Sequence, residues 1–493
     1  MNRAVVIGAG FGGLALAIRL QSAGVQTVIV EGRDRPGGRA YFWERDGFTF
    51  DAGPTVITDP DCLRELWALS GRNMAEDVEI VPVSPFYRLT WPDGTVFDYS
   101  NDEPALNAEI ANLNPADVAG YRRFLDYSAG VYREGYVKLG AVPFLDFASM
   151  LKAAPALARY QAWWSVYSVV SGFVQNEKLR EALSFHTLLV GGNPMATSAI
   201  YALIHKLEKD GGVWFAKGGT NRLVAGMVRQ FKRLGGELRL GDPVVRIETA
   251  SDRVTGVRTA SGWQTDTDAV ASNADIVHSY RDLLGGSSRG KREGRRLQRK
   301  RFSPSLFVVH FGVRGTFPHV PHHMILFGPR YRGLLDDIYK GGALAEDFSL
   351  YLHHPSATDR NMAPAGHSTF YALAPVPHLG RGAIDWDAEG PRFADRILDE
   401  VAKRIGVPDL KERIVTRFHY APPDFAHHLN AHLGSAFSLE PILTQSAWFR
   451  THNRDDAIPN LYFVGAGTHP GAGIPGVVGS AKATAGLMLA DLA

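Results

Sequence analysis

The 493-residue chain has one cysteine, Cys62, so an internal disulfide, a cysteine-built metal cluster and a dithiol redox pair are all excluded. An excess of charge is lacking too. Against 53 lysines and arginines stand 51 aspartates and glutamates, and a net charge of +2 offers nucleic acid or an acidic partner no general attraction. No uncharged apolar run approaches the roughly 18 to 20 residues that span a bilayer, the longest candidate being 162–174. The apolar stretch before the first glycines is too short for a signal peptide, so a cytoplasmic protein is expected. Internal repeats and low-complexity tracts are missing. Among seventeen histidines there is no H-E-x-x-H element, and the pairs His322-His323, His353-His354 and His427-His428 lack a carboxylate or cysteine complement in sequence, so no metal is expected. Electron transfer would fall to an organic cofactor.

What the chain does have is 45% apolar composition, enough at this length for about two to three domains. It opens as a strand (4–7), a glycine turn (8–13), a helix (14–22), a C-terminal Gly24 and a second strand (26–30), a βαβ start. In the turn, Gly8, Gly10, Phe11, Gly12 and Gly13 carry a dinucleotide fingerprint. Gly8 permits the tight turn, Gly10 lets the backbone approach a pyrophosphate, and Gly13 allows helix to pack on strand. The phosphates would sit at the helix N-terminus, where free N–H groups and the helix dipole favour an anion. Glu31, eighteen residues past Gly13, ends the second strand, where a carboxylate accepts ribose hydroxyls and argues against a 2′-phosphate.

From about Cys62 to Trp214 the pattern is mostly helical, with aromatics among charges, and includes the run Tyr160 to Tyr167; this looks like a separate cap. A helix (223–234), a Gly235-Gly236 break and a strand ending near Val244-Val245 resume the α/β rhythm. Residues 289–301 hold eight lysines or arginines in thirteen positions and read as a linker or surface arm. Strands and loops follow from 305 to 416, beginning with a strand-like 305–313, and the last eighty or so residues are again βα. There the strand 461–464 runs into Gly465-Ala466-Gly467, a further loop to Gly476 and a helix from Val477. This is a second glycine-opened helix, whose N-terminus would stabilise negative charge developing on a ligand.

Downstream of Glu31, Gly32-Arg33-Asp34-Arg35-Pro36-Gly37-Gly38-Arg39 resembles the extended fingerprint of two-dinucleotide-binding flavoproteins, in which Arg39 suits the diphosphate. Phe50 to Thr55, with Gly53, Pro54 and Thr55, is similar to the strand and turn that touch the isoalloxazine. With 183–194, 201–219, 348–352, 441–450 and 465–480, nearly the whole chain resembles bacterial phytoene desaturases of the carotenoid pathway, within the flavin amine oxidase-like superfamily. The resemblance implies an α/β fold with an α+β cap: a Rossmann-like FAD-binding domain of the two-dinucleotide-binding type (1–75, 215–300 and 417–493), a mostly helical, membrane-facing cap (76–214) and an inserted substrate-binding domain (301–416). It adds Val244 and Val245 as adenine contacts, though their apolarity also suits plain core, and Asn273 as a cofactor contact, though Asn also starts ordinary turns. Gly465, Ala466, Gly467, Pro475, Gly476 and Val477 would reach the flavin.

FAD is the implied sole redox cofactor. Phytoene drawn from a bilayer is the implied substrate, oxidised stepwise towards neurosporene and lycopene by hydride transfer to flavin N5, with oxygen or a quinone as acceptor. The protein would lie at the inner face of the cell membrane, the mixture of aromatics and cations from Tyr132 to Tyr167 being suited either to lipid headgroups or to a buried cap. No catalytic side chain is required by this chemistry; His469, in the loop expected beside the flavin, is the candidate base, with a structural hydrogen bond as its other reading. The alternative readings are a flavin amine oxidase, another carotenoid oxidoreductase, isomerase or oxygenase, a retinol saturase-like reductase, and a non-catalytic prenyl-lipid chaperone resembling Rab GDP-dissociation inhibitor, which shares the architecture. The intact C-terminal glycine block speaks against the last.

Overall fold

All of the strand Arg3–Ile7 beyond Arg3 is buried, because an apolar layer lies on each side of it. Ala4 and Val6 join one cluster and Val5 and Ile7 another, the two-residue alternation of a strand spent on two buried faces. In the computed structural model, which describes residues 2–493, this strand is central to a five-stranded parallel sheet. The order is Leu461–Phe463, Ala269–Ser272, Arg3–Ile7, Gln26–Val30 and Glu237–Arg239. The helix Phe11–Ser22 covers one face and packs against Ile474–Leu492 and Thr220–Arg233. On the other face lie an antiparallel meander, Val244–Ala250, Arg253–Thr259 and Gln264–Asp266, and the helix Ser288–Gln298.

Three boundaries differ from the sequence reading in the same direction. Helices expected at Leu14, Leu223 and Val477 begin at Phe11, Thr220 and Ile474. In the first and last, glycine occupies the first turn, where N–H groups have no intrahelical partner and the usual cost of glycine inside a helix does not apply in full. Val244 begins a strand and does not end one. The basic stretch at 289–301 is neither linker nor loose arm: Gly290, Glu293, Gly294 and Leu297 are its buried stripe, with the cations on the outer side. Arg289 pairs with Glu293 and with buried Asp455, both at 3.0 Å, and Tyr280 donates to Asp455 at 2.6 Å.

A second sheet has seven strands in the order Ile414–Tyr420, Ser305–Arg314, His367–Val376, Leu350–His353, His323–Leu326, Tyr87–Thr90 and Val96–Tyr99. The last two come from the stretch expected to be mostly helical. Along its strands Phe307, Val309, Phe370, Ala372 and Leu352 face the helix Trp386–Arg404. The alternate positions, among them Leu306, Ile325, Tyr351, Tyr371 and Leu373, face a cavity that the helices between 103 and 211 close over.

Removing one partner of a buried ion pair typically costs 3–5 kcal/mol. Asp455→Ala is therefore expected to lower the thermal midpoint by about 5 °C or more. A shift within 1 °C, measured by differential scanning fluorimetry, would show that the Arg289 and Tyr280 contacts do not anchor the basic helix.

Candidate active site

A cavity of about 870 Å³, near the upper end for small-molecule sites, extends from the first glycine turn to the inner face of the seven-stranded sheet. Both glycine-opened helices point their N-termini into it. Gly8, Gly10, Phe11 and Gly12 line it from one side, and Gly473, Pro475, Gly476 and Val477 from the other. Their closeness is enforced by missing side chains. A Cβ on Gly13 would lie 2.1 Å from the Gly8 carbonyl oxygen; one on Gly12 would lie 2.6 Å from Asn273 Oδ1 and 3.2 Å from Gly465 Cα. A Cβ on Gly465 would meet the same Asn273 oxygen at 2.6 Å. Asn273 is thus wedged between the two turns and is itself held by its N–H donating to Ile7 at 2.8 Å.

Glu31 accepts the N–H groups of Ala9 at 2.7 Å and Arg33 at 2.9 Å. Burial pushes its pKa up, and these backbone bonds pull it back. Its oxygens retain lone pairs for ribose hydroxyls. Arg39 is a half-buried cation whose Nε donates to the Ala436 carbonyl at 2.6 Å. Burial lowers its pKa, the nearby charge of Asp275 opposes that, and no ion pair to Arg39 exists among the described residues. A half-buried guanidinium without an ion pair, beside two helix N-termini, is an anion site, and a diphosphate fits it.

Of the other expected contacts, Gly32, Arg33, Gly38, Gly53, Pro54, Thr55, Val244 and Ala466 line the cavity. Gly13, Gly465 and Gly467 are not part of its lining. Val245 is 48% exposed and points away, because adjacent strand residues face opposite sides. Thr55 Oγ1 bonds the Tyr371 hydroxyl at 2.7 Å and the Tyr351 hydroxyl at 3.0 Å, tying the turn to the seven-stranded sheet. Neither tyrosine was singled out in the sequence; only the inward phase of their strands marks them. Asp275 and the Ala436-Phe437 pair were missed as well, since nothing local announces that they reach the cavity.

His469 lines the cavity, its Nε2 bonded to the Leu139 carbonyl at 2.9 Å and its ring edge-on to Phe144. Burial pushes its pKa down to about 4, which suits a neutral anchor between two loops better than a base. The remaining wall is mostly apolar, with Leu188, Leu203, Ile204, Leu306, Ile325 and Phe327 prominent. Glu208 reaches this part; Tyr87 donates to its Oε1 at 2.8 Å and His186 Nε2 stands 3.1 Å from its Oε2.

A parallel sheet with two glycine-opened helices meeting beside an arginine defines a dinucleotide-binding protein of the Rossmann type. The model of the flavin containing amine oxidoreductases matches residues 11–489. A lycopene-forming phytoene desaturase from a Paracoccus strain is 64% identical, over 99% of this chain and 98% of its own. A neurosporene-forming phytoene desaturase from Rhodobacter capsulatus is 42% identical, over 98% and 93%. A solved putrescine oxidase variant shares the fold at a TM-score of 0.66 and 15% identity, with 99% of each chain covered. The chain belongs to the flavin containing amine oxidoreductases and, within them, to the bacterial phytoene desaturases. FAD is its cofactor.

Overpacking of the kind Gly12→Ala introduces costs about 1–3 kcal/mol, and flavin affinity should fall roughly ten- to hundredfold. Equilibrium dialysis reads this, and unchanged affinity would show that the Gly12–Asn273 contact does not shape the cradle. His469→Gln should change kcat by less than about threefold, whereas loss of a general base costs 10²–10⁴-fold.

Proposed function

We propose that this protein desaturates phytoene stepwise, through neurosporene to lycopene, inside the cavity that joins the FAD cradle to the sheet face. The carrying observation is that one continuous space runs from the glycine turns to a wall built mostly of apolar and aromatic side chains. Bound FAD supplies the hydride acceptor, its N5. The chain's part is to hold the polyene against that atom and keep water out. Positive charge arising on the substrate spreads over its own conjugated system. A strongly basic side chain is therefore not needed, and His469 need not supply one. The greater identity to a lycopene-forming relative than to a neurosporene-forming one supports lycopene as the end product.

A water-insoluble substrate calls for a lipid-facing wall, and the segment from Tyr132 to Trp164 has the character of one. On the helix Phe147–Arg159, Met150, Ala153 and Leu157 line the cavity, while Phe147 and Leu151 are 50% and 59% exposed. Exposed Trp163 and Trp164 lie close by in sequence, and Arg133, Lys138, Lys152 and Arg159 are exposed cations within the same segment. Aromatics and cations together suit an anionic headgroup layer, which supports a seat on the cytoplasmic face of the membrane. No helix among the described residues is long and apolar enough to cross a membrane. Oxygen or a membrane quinone would take the electrons.

Expression in cells that make phytoene, with pigment chromatography, is expected to yield lycopene. Unchanged phytoene beside full flavin occupancy would overturn the assignment. Replacing Trp163 and Trp164 together by serine should weaken binding to anionic liposomes about tenfold or more in sedimentation, and undiminished binding would remove this segment from the interface.

A further inference from the structure

The sheet that walls the cavity carries three histidines that the proposed reaction does not use. His323 and His353 are cross-strand partners on the neighbouring antiparallel strands His323–Leu326 and Leu350–His353, on the same side as cavity-lining Ile325 and Tyr351, and His322 precedes the first strand. Their exposures are 3% for His322 and 0% for the other two. One nitrogen from each lies within 4.8 Å of those of the others, and His322 Nε2 and His353 Nε2 are 3.1 Å apart. Two imidazoles bound at 2.0–2.1 Å to one tetrahedral ion have nitrogens about 3.3 Å apart.

The outer nitrogens of two rings are already fixed. His322 Nδ1 bonds Thr358 Oγ1 at 2.6 Å and His323 Nδ1 bonds the Tyr351 hydroxyl at 2.7 Å. Such outer bonds orient the histidines of metal sites. His323 Nε2 and His353 Nδ1 have no hydrogen-bond partner at all, which is uncommon for buried polar atoms. Packing alone leaves these two buried nitrogens without partners. A ring nitrogen left without a hydrogen-bond partner, such as His323 Nε2, is what a transition metal requires.

We propose that His322, His323 and His353 bind a zinc ion at a structural site that fixes the Tyr351 hydroxyl against Thr55, beside the cofactor cradle. Three imidazoles are a known zinc donor set. No carboxylate or thiol joins the group among the described residues, so the fourth position falls to water. The sequence offered no complement to the histidine pairs; the fold supplies it from a third histidine on the neighbouring strand. The proposal is independent of the substrate assignment.

Untagged, flavin-loaded enzyme dialysed against metal-free buffer is expected to carry about one zinc per chain by plasma mass spectrometry. A content below about 0.1 per chain, with no calorimetric binding of added zinc, would overturn the proposal. Thr358→Val removes only the outer bond to His322 and should lower zinc affinity ten- to hundredfold in chelator competition. Unchanged affinity in that variant, folded and flavin-loaded, would move any ion away from His322 and overturn the assignment too.

Discussion

Backbone N–H groups hold a diphosphate only where no side chain stands between them and the ligand, and this exclusion organises the molecule. Three adjacent parallel strands, Arg3–Ile7, Ala269–Ser272 and Leu461–Phe463, deliver their following turns to one point. At that point the Asn273 carboxamide occupies the space that Cβ atoms on Gly12 and Gly465 would need. Two helix N-termini and the unpaired Arg39 guanidinium then converge where negative charge must be placed. Arg39 has no ion pair among the described residues, so its guanidinium is available to the cofactor's anion.

The cradle was legible because its signal is local. Gly8 to Gly13 and Glu31 sit within one βαβ unit, and Gly465 to Gly476 repeats the strand-loop-helix order, so spacing alone puts both at helix starts. What escaped depends on long-range pairing. Tyr87–Thr90 pairs in parallel with His323–Leu326, more than two hundred residues on, and a helical-looking neighbourhood hid it. The helix Ser288–Gln298 was masked by its cations, although its buried stripe has helical spacing. Val245 shows the other limit. An apolar pair at a strand start does not say which member faces in, and the pleat sends one outward.

The two halves of the cavity have different physical origins. The cofactor half comes from loops at the ends of parallel strands, the usual place for ligands in open α/β sheets. The apolar half comes from one face of the mixed seven-stranded sheet, whose other face is spent on the helix Trp386–Arg404. Thr55, bonded to Tyr351 and Tyr371, joins the halves, so the register of that sheet is transmitted to the cofactor turn. The helix Phe147–Arg159 closes the space with cavity-lining residues on one side and exposed apolar ones on the other.

The central claim is that polyene and FAD share this one enclosure. An anaerobic titration of the flavin-loaded protein with phytoene in liposomes tests it most directly, because it reads both at once. Loss of flavin absorbance in step with the appearance of a more conjugated polyene, with the same stoichiometry, is the predicted result. A flavin spectrum that stays unchanged while phytoene is demonstrably bound would contradict the account.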